Sequence, residues 1–184
     1  LLELYPSALE VMDANTLNLI GRAKHGIPAD AAATLLVELD DDAKGIDLWA
    51  QAKRMLEICR RFRLTSDPLL ALEPEQRGQL WKARKALYPT LYRFDPRKKP
   101  INFVDDVVVP AERISELIRY LEEFFEEQRV PVAIFGHIGN GTAHIIPLLD
   151  VNSQDDFQKM VRGYSEIHQT VLDRFGGSIC GEHG

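Results

Sequence analysis

The sequence has little cysteine. Two stand in 184 residues, Cys59 and Cys180, in no C-x-x-C spacing. That excludes a disulfide framework and an iron–sulfur or zinc–thiolate cluster built within this chain, and it leaves reduced thiols in a cytoplasmic protein as the expectation. Long apolar runs are also missing. No stretch of about 18 apolar residues occurs, so the chain is not expected to be transmembrane, and Leu1-Leu2-Glu3-Leu4 lacks the basic flank of a signal peptide. Positive charge is in deficit, with a net charge of −6. An acidic chain whose basic residues are dispersed makes no nucleic-acid footprint, and Arg97-Lys98-Lys99, in a Pro-flanked loop, reads as solvated rather than as a binding patch. No Gly-rich phosphate loop follows an early strand. The sequence opens without Met and stops at Gly181-Glu182-His183-Gly184, so a piece of a longer polypeptide is expected.

What is present suits one globular domain. Of the residues, 45% are hydrophobic, enough for a real core at this length. Strands are expected at Ser7–Met12, at Thr34–Leu39 (a buried apolar run), at Phe103–Val109, at Val130–His137 and at His144–Leu149. Helices are expected at Asn15–Lys24, closed by Gly26, and at Lys44–Phe62, with a stripe through Ile46, Trp49, Leu56 and Phe62 after the acidic turn Asp40-Asp41-Asp42. Further helices are expected at Glu75–Tyr88 with Pro89 as its stop, at Ala111–Gln128, and at Asp155–Phe175. The polar segment Arg93–Lys99 reads as a mobile loop, and Ser178–Cys180 as a short extended piece. The pattern predicts an α+β fold: a mostly antiparallel sheet with helices on one face and a ferredoxin-like core.

Gly136-His137-Ile138-Gly139-Asn140-Gly141-Thr142-Ala143-His144 is the most informative segment. Asn-Gly between two apolar runs predicts a tight hairpin. With Asn140 and Gly141 at the centre of a type I′ turn, His137 would face His144 on the same side of the sheet, close enough for both imidazoles to hold one metal ion. A wider Gly-rich loop, which lets a ligand approach the backbone, is the alternative, and two ordinary histidines on a sheet face is the bland one. The Gly-bracketed pair Glu182-His183 supplies a third ligand. His₂Glu is a common catalytic zinc set, and the same donors suit Mn or Fe. If Glu182 ligates, His183 is free to act as a base. A frayed chain end is the competing reading.

These segments resemble a known family. GHIGNGTAH is similar to the G-H-x-G-D-G-N-x-H segment, and GGSICGEHG to the G-G-x-[IV]-[SC]-[GA]-E-H-G segment, of the C-terminal domain of FAD-linked oxidases, a group that includes D-lactate dehydrogenases, the glycolate oxidase FAD subunit and D-2-hydroxyglutarate dehydrogenase. PSALEVMDANTL, LLVELD, LWKARKAL and FVDDVVVPAERI extend the likeness over most of the chain. The resemblance implies a divalent metal (Zn, Mn or Fe) on His137, His144 and Glu182. It makes His183 the base and Arg84 the group that grips a substrate carboxylate, a stem otherwise readable as a snorkelling surface side chain. It also puts Asn140 and Gly141 beside the cofactor. Asn140 stands where the family has Asp, and Thr142 where it has Asn, so less negative charge surrounds the metal.

The resemblance further implies a small 2-hydroxy acid such as D-lactate or glycolate as substrate and FAD as cofactor, held mainly by a separate FAD-binding domain of the same polypeptide. An iron–sulfur electron-transfer partner and a cytoplasmic location, peripheral to the inner membrane face, go with it. The fragment alone is then expected to be inactive. Two other classes are a His₂Glu metal-dependent hydrolase and a non-enzymatic ferredoxin-like binding module.

Overall fold

A computed structural model describes residues 4–40 and 47–183. The expected acidic turn at Asp41-Asp42 and the expected helix start at Lys44 and Ile46 lie outside the described residues.

Six strands form one antiparallel sheet among the described residues, in the order β2 (Ala33–Glu38), β1 (Ala8–Asp13), β5 (Val132–His137), β6 (Thr142–Asp150), with β3 (Lys98–Pro100) and β4 (Asp106–Val108) both on the far edge of β6. β4 and β5 flank β6, run the same way and are joined through α5 (Ile114–Glu127), which is the split β-α-β arrangement of ferredoxin-like folds. The α+β class and the antiparallel sheet are as expected.

Alternation along the central strands builds two cores. Val132, Ile134, Ala143 and Ile145 point to one face and pack with Leu117, Leu121 and Phe125 of α5 and with Ile167 and Val171 of α6 (Gln154–Asp173). The expectation placed helices on one face; these two cover that face, and the other face carries helices as well. Met12, Ala133, Phe135, Ile146 and Leu148 point to the other face, where Leu17 and Ile20 of α1 (Ala14–Ile20), Ala83 of α3 (Pro74–Lys85) and Leu87 and Leu91 of α4 (Leu87–Leu91) form a second layer. Fully burying one such Leu, Ile or Phe side chain contributes about 1.5–3 kcal/mol, so the continuous runs VAIF and AHIIPLL account for why β5 and β6 lie at the centre.

Several local expectations are corrected. α1 ends at Ile20 because Gly21 adopts a left-handed conformation (φ 82°); the turn that Gly26 closes is a separate 3₁₀ segment, Arg22–His25. β2 is an edge strand with Leu35 exposed rather than a buried one. Of the expected stripe of α2 (Leu48–Cys59), Trp49 is exposed, as is Phe62 beyond the helix end. Pro89 does not stop the chain's helical course. It sits in the first turn of α4, where its missing N–H has no intrahelical partner to lose. Arg93–Lys99 ends in β3, pinned to β6.

The hairpin register also differs. Phe135 stands opposite His144, two positions along β5 from the expected His137. A type I′ turn needs positive φ at both central residues, and only Gly141 has it (φ 81°). Residues 138–141 instead make a wider turn, with Asn140 N donating to His137 O at 3.2 Å and Gly141 N to Ile138 O at 3.2 Å. A two-residue shift preserves the face because strand side chains alternate with period two.

Candidate metal and acid site

His137 and His144 therefore remain on the same face as Phe135 and Ile146. Their rings lie 5.2 Å apart at 89°. Glu182 completes the set: its Oε2 is 3.7 Å from His137 Nε2, and one ligand atom from each of His137, His144 and Glu182 can be chosen so that all three lie within 4.8 Å of one another. Ligands about 2 Å from a common ion sit at most about 4 Å apart, so the three residues are gathered at close to the spacing of a cation site and would close on an ion by small side-chain movements.

The chain end is held in place by β4. Val108 N donates to Ser178 O at 2.9 Å and Ser178 N to Val108 O at 2.7 Å. Beyond this bridge, one carboxylate oxygen of Asp106, Oδ2, accepts three successive backbone N–H groups: Gly181 at 3.0 Å, Glu182 at 2.6 Å and His183 at 2.9 Å. Burial pushes the Asp106 carboxyl up, but these three donors hold it below the usual carboxylate range. Glu182 and His183 are thus fastened at the backbone while their side chains stay exposed.

Carboxylates also back the histidines. Glu10 stands directly opposite His137 across the β1–β5 pair; its Oε1 meets His137 Nδ1, and its Oε2 accepts Arg84 Nε at 3.1 Å. Asp105 lies 3.6 Å from His144 Nδ1 through one oxygen and 3.6 Å from His183 Nδ1 through the other. Burial pushes the His144 imidazole pKa down; Asp105 and Glu182 outweigh it, and the net shift is upward. His183 stacks beside His144 with ring centres 6.0 Å apart.

Arg84 projects from α3 into the same space. Its guanidinium lies over the Phe135 ring at 4.3 Å, and only 17% of its side chain is exposed, which sets aside the snorkelling surface reading. Asn140 is exposed at the hairpin tip, its Oδ1 accepting from Thr142 N at 3.2 Å, and Gly141 is buried with no room for a Cβ beside the Val109 carbonyl.

The sequence expectations therefore converge on one place for His137, His144, Glu182, His183 and Arg84. They missed Glu10, Asp105, Asp106 and Phe135. Glu10 had a readable signal: it shares the inward face of β1 with Met12, where a carboxylate needs a partner. Asp105-Asp106 before the apolar run VVV is a similar anomaly.

Comparison with known proteins gives the family. The family described as FAD linked oxidases, C-terminal domain, matches residues 3–184, and the chain belongs to it. It is 27% identical over 99% of its length to glycolate oxidase subunit GlcD of Bacillus subtilis (strain 168), covering 37% of that protein. It is 32% identical over 73% of its length to D-2-hydroxyglutarate dehydrogenase of Xanthomonas citri pv. viticola, covering 28% of that protein. A D-lactate dehydrogenase of Anaerostipes hadrus is 31% identical over 64% of the chain, which covers 24% of that protein. The chain thus spans 24–37% of the length of these three relatives. Among solved structures, 4-ethylphenol oxidase from Gulosibacter chungangensis superposes with a TM-score of 0.55 at 12% identity, over 95% of this chain and 39% of that one, a likeness of fold alone. No helix among the described residues is long and apolar enough to cross a membrane.

Proposed function

We propose that this FAD-linked oxidase C-terminal domain is the substrate- and metal-binding part of an enzyme that oxidises a 2-hydroxy acid, such as D-lactate or glycolate, to the 2-oxo acid. The observation that carries the reading is the convergence of His137, His144 and Glu182 beside Arg84 and His183.

His137, His144 and Glu182 would hold a divalent metal. Both histidines meet carboxylates through Nδ1, which leaves Nε2 for the ion and matches the carboxylate–histidine–metal pattern of natural sites. When bound, such a metal polarises the 2-hydroxyl and lowers its pKa, and a flavin accepts hydride from the α-carbon. Arg84 gives its Nε–H to Glu10 and keeps its terminal nitrogens for the substrate carboxylate, a bidentate grip that fixes the α-carbon's orientation. His183 faces Asp105 through Nδ1, so its Nε2 takes the hydroxyl proton and Asp105 stabilises the resulting imidazolium. Asn140 and Gly141, at the hairpin tip, would meet the cofactor delivered by the FAD-binding domain of the longer polypeptide.

The test uses the full-length polypeptide carrying FAD, with an artificial electron acceptor and a panel of D-lactate, glycolate and D-2-hydroxyglutarate. At least one acid is expected to be oxidised by the wild type. His183→Ala is expected to keep its FAD and lose turnover by about 10²–10⁴-fold, the range for removal of a general base. Normal turnover in that variant would sink the base assignment. A wild type inactive on every 2-hydroxy acid would overturn the reading itself.

A further inference from the structure

We infer that Glu10 selects the tautomer of His137 and couples that ring to Arg84. The Glu10 side chain is 6% exposed, and each of its oxygens has one assigned donor: Oε2 takes Arg84 Nε–H at 3.1 Å, and Oε1 meets His137 Nδ1. Arg84 is always a donor, because a guanidinium does not lose its proton in proteins. The other contact is then a choice between a donor and an acceptor at His137 Nδ1, and a carboxylate oxygen admits only the donor. The neutral His137 is thereby the Nδ1–H tautomer, with its lone pair on Nε2, the atom 3.7 Å from Glu182. The two functional arms of the site, acid-gripping and metal-holding, hang on one buried carboxylate donated by β1.

The consequence for metal rests on the reading proposed above; the tautomer does not. Replacing the carboxylate by an amide separates the two. Gln at position 10 has one acceptor and one donor group where two donors must be met. Arg84 cannot yield, so the amide oxygen stays on Arg84 and the NH₂ faces His137. The ring must then accept at Nδ1 and carry its proton on Nε2, where a metal would bind. Removing the rigid donor as well frees the amide to turn its oxygen back to His137.

The test is made on the full-length flavoprotein with ¹⁵N-labelled histidine, zinc-free, at about pH 8 where imidazoles are neutral, followed by zinc titration. In the wild type, His137 is expected to carry its proton on Nδ1. In Glu10→Gln the proton moves to Nε2 and zinc affinity falls about 10–100-fold, the range for loss of a ligand's backing partner, with FAD content unchanged. In Glu10→Gln/Arg84→Met the proton returns to Nδ1 and zinc affinity recovers most of the loss. A merely structural role for Glu10 predicts that the double variant is worse than the single one. That result, or a wild-type His137 protonated on Nε2, overturns the inference. A wild type that takes up no zinc removes the metal reading, while the tautomer pattern still decides the role of Glu10.

Discussion

Asp106 Oδ2 sits 2.6 Å from the backbone N of Glu182 and also accepts the N–H of each flanking residue. A carboxylate in such a nest anchors the segment by charge-assisted hydrogen bonds worth about 1.5–3 kcal/mol each when formed to a charged group. Asp106→Asn keeps the size and removes the charge. It is expected to raise amide hydrogen exchange at residues 181–183 at least tenfold while leaving α5 and α6 protected. Unchanged exchange at 181–183 would contradict the anchoring role.

The Asp13–Glu122 contact makes stability depend on pH. Asp13 caps α1, its Oδ1 accepting from Thr16 N at 2.8 Å. Burial first, and the neighbouring Asp13 second, push Glu122 up to about 7; burial also raises Asp13. A carboxyl whose folded pKa exceeds its unfolded value stabilises the fold fully below the unfolded pKa, and that contribution is lost as pH rises through the folded pKa. For Glu122 the window runs from 4.5 to about 7. Because Glu122 is only half-buried, solvent screening trims the effect to about 1 kcal/mol. The melting temperature of the wild type is expected to fall across this window, and Glu122→Gln to flatten the fall. A wild type equally stable at both ends would contradict the pair.

Arg84→Lys tests the acid grip. Lysine cannot hold Glu10 from a side-chain Nε while presenting two terminal nitrogens, and its compact ammonium stacks poorly on Phe135. Steady-state kinetics should show KM for the hydroxy acid rising about 10–100-fold, the equivalent of one charged hydrogen bond, with kcat affected less. An unchanged KM would remove Arg84 from substrate binding.

Gly141→Ala tests why the hairpin turns as it does. At φ 81° an L side chain is strained, and its Cβ would run into the Val109 carbonyl. The variant is expected to lose about 2 kcal/mol or more, read as a fall of several degrees in melting temperature. Native stability would show the turn to be adaptable.

The legible part of this protein was its periodicity and its metal-type residues. Apolar runs marked β5 and β6, and alternation put His137 and His144 on one face even though the register was off by two positions, because parity survives a two-residue slip. The turn departs from the Asn-Gly expectation because type I′ needs positive φ at both central residues, and Asn140 does not take it. Pro89 misled for a related reason: a proline stops a helix from its interior but is tolerated in a first turn. Glu10, Asp105 and Asp106 stand out in the sequence as carboxylates among apolar residues, but their partners are illegible there because they come from distant parts of the chain. Glu10 reaches Arg84 over 74 residues of separation, and no local pattern encodes that contact. Exposed Trp49 and Leu35 belong to the same class: their apolar character was plain, but what lies against them was not.

The central claim is a metal held by His137, His144 and Glu182. Elemental analysis of the purified full-length protein, wild type beside His144→Ala, tests it most directly. The account predicts about one divalent metal ion per chain in the wild type, as expected for a three-ligand set with an open fourth position, and a several-fold loss in the variant with FAD retained. Absence of metal from both proteins, or equal metal in both, would contradict it.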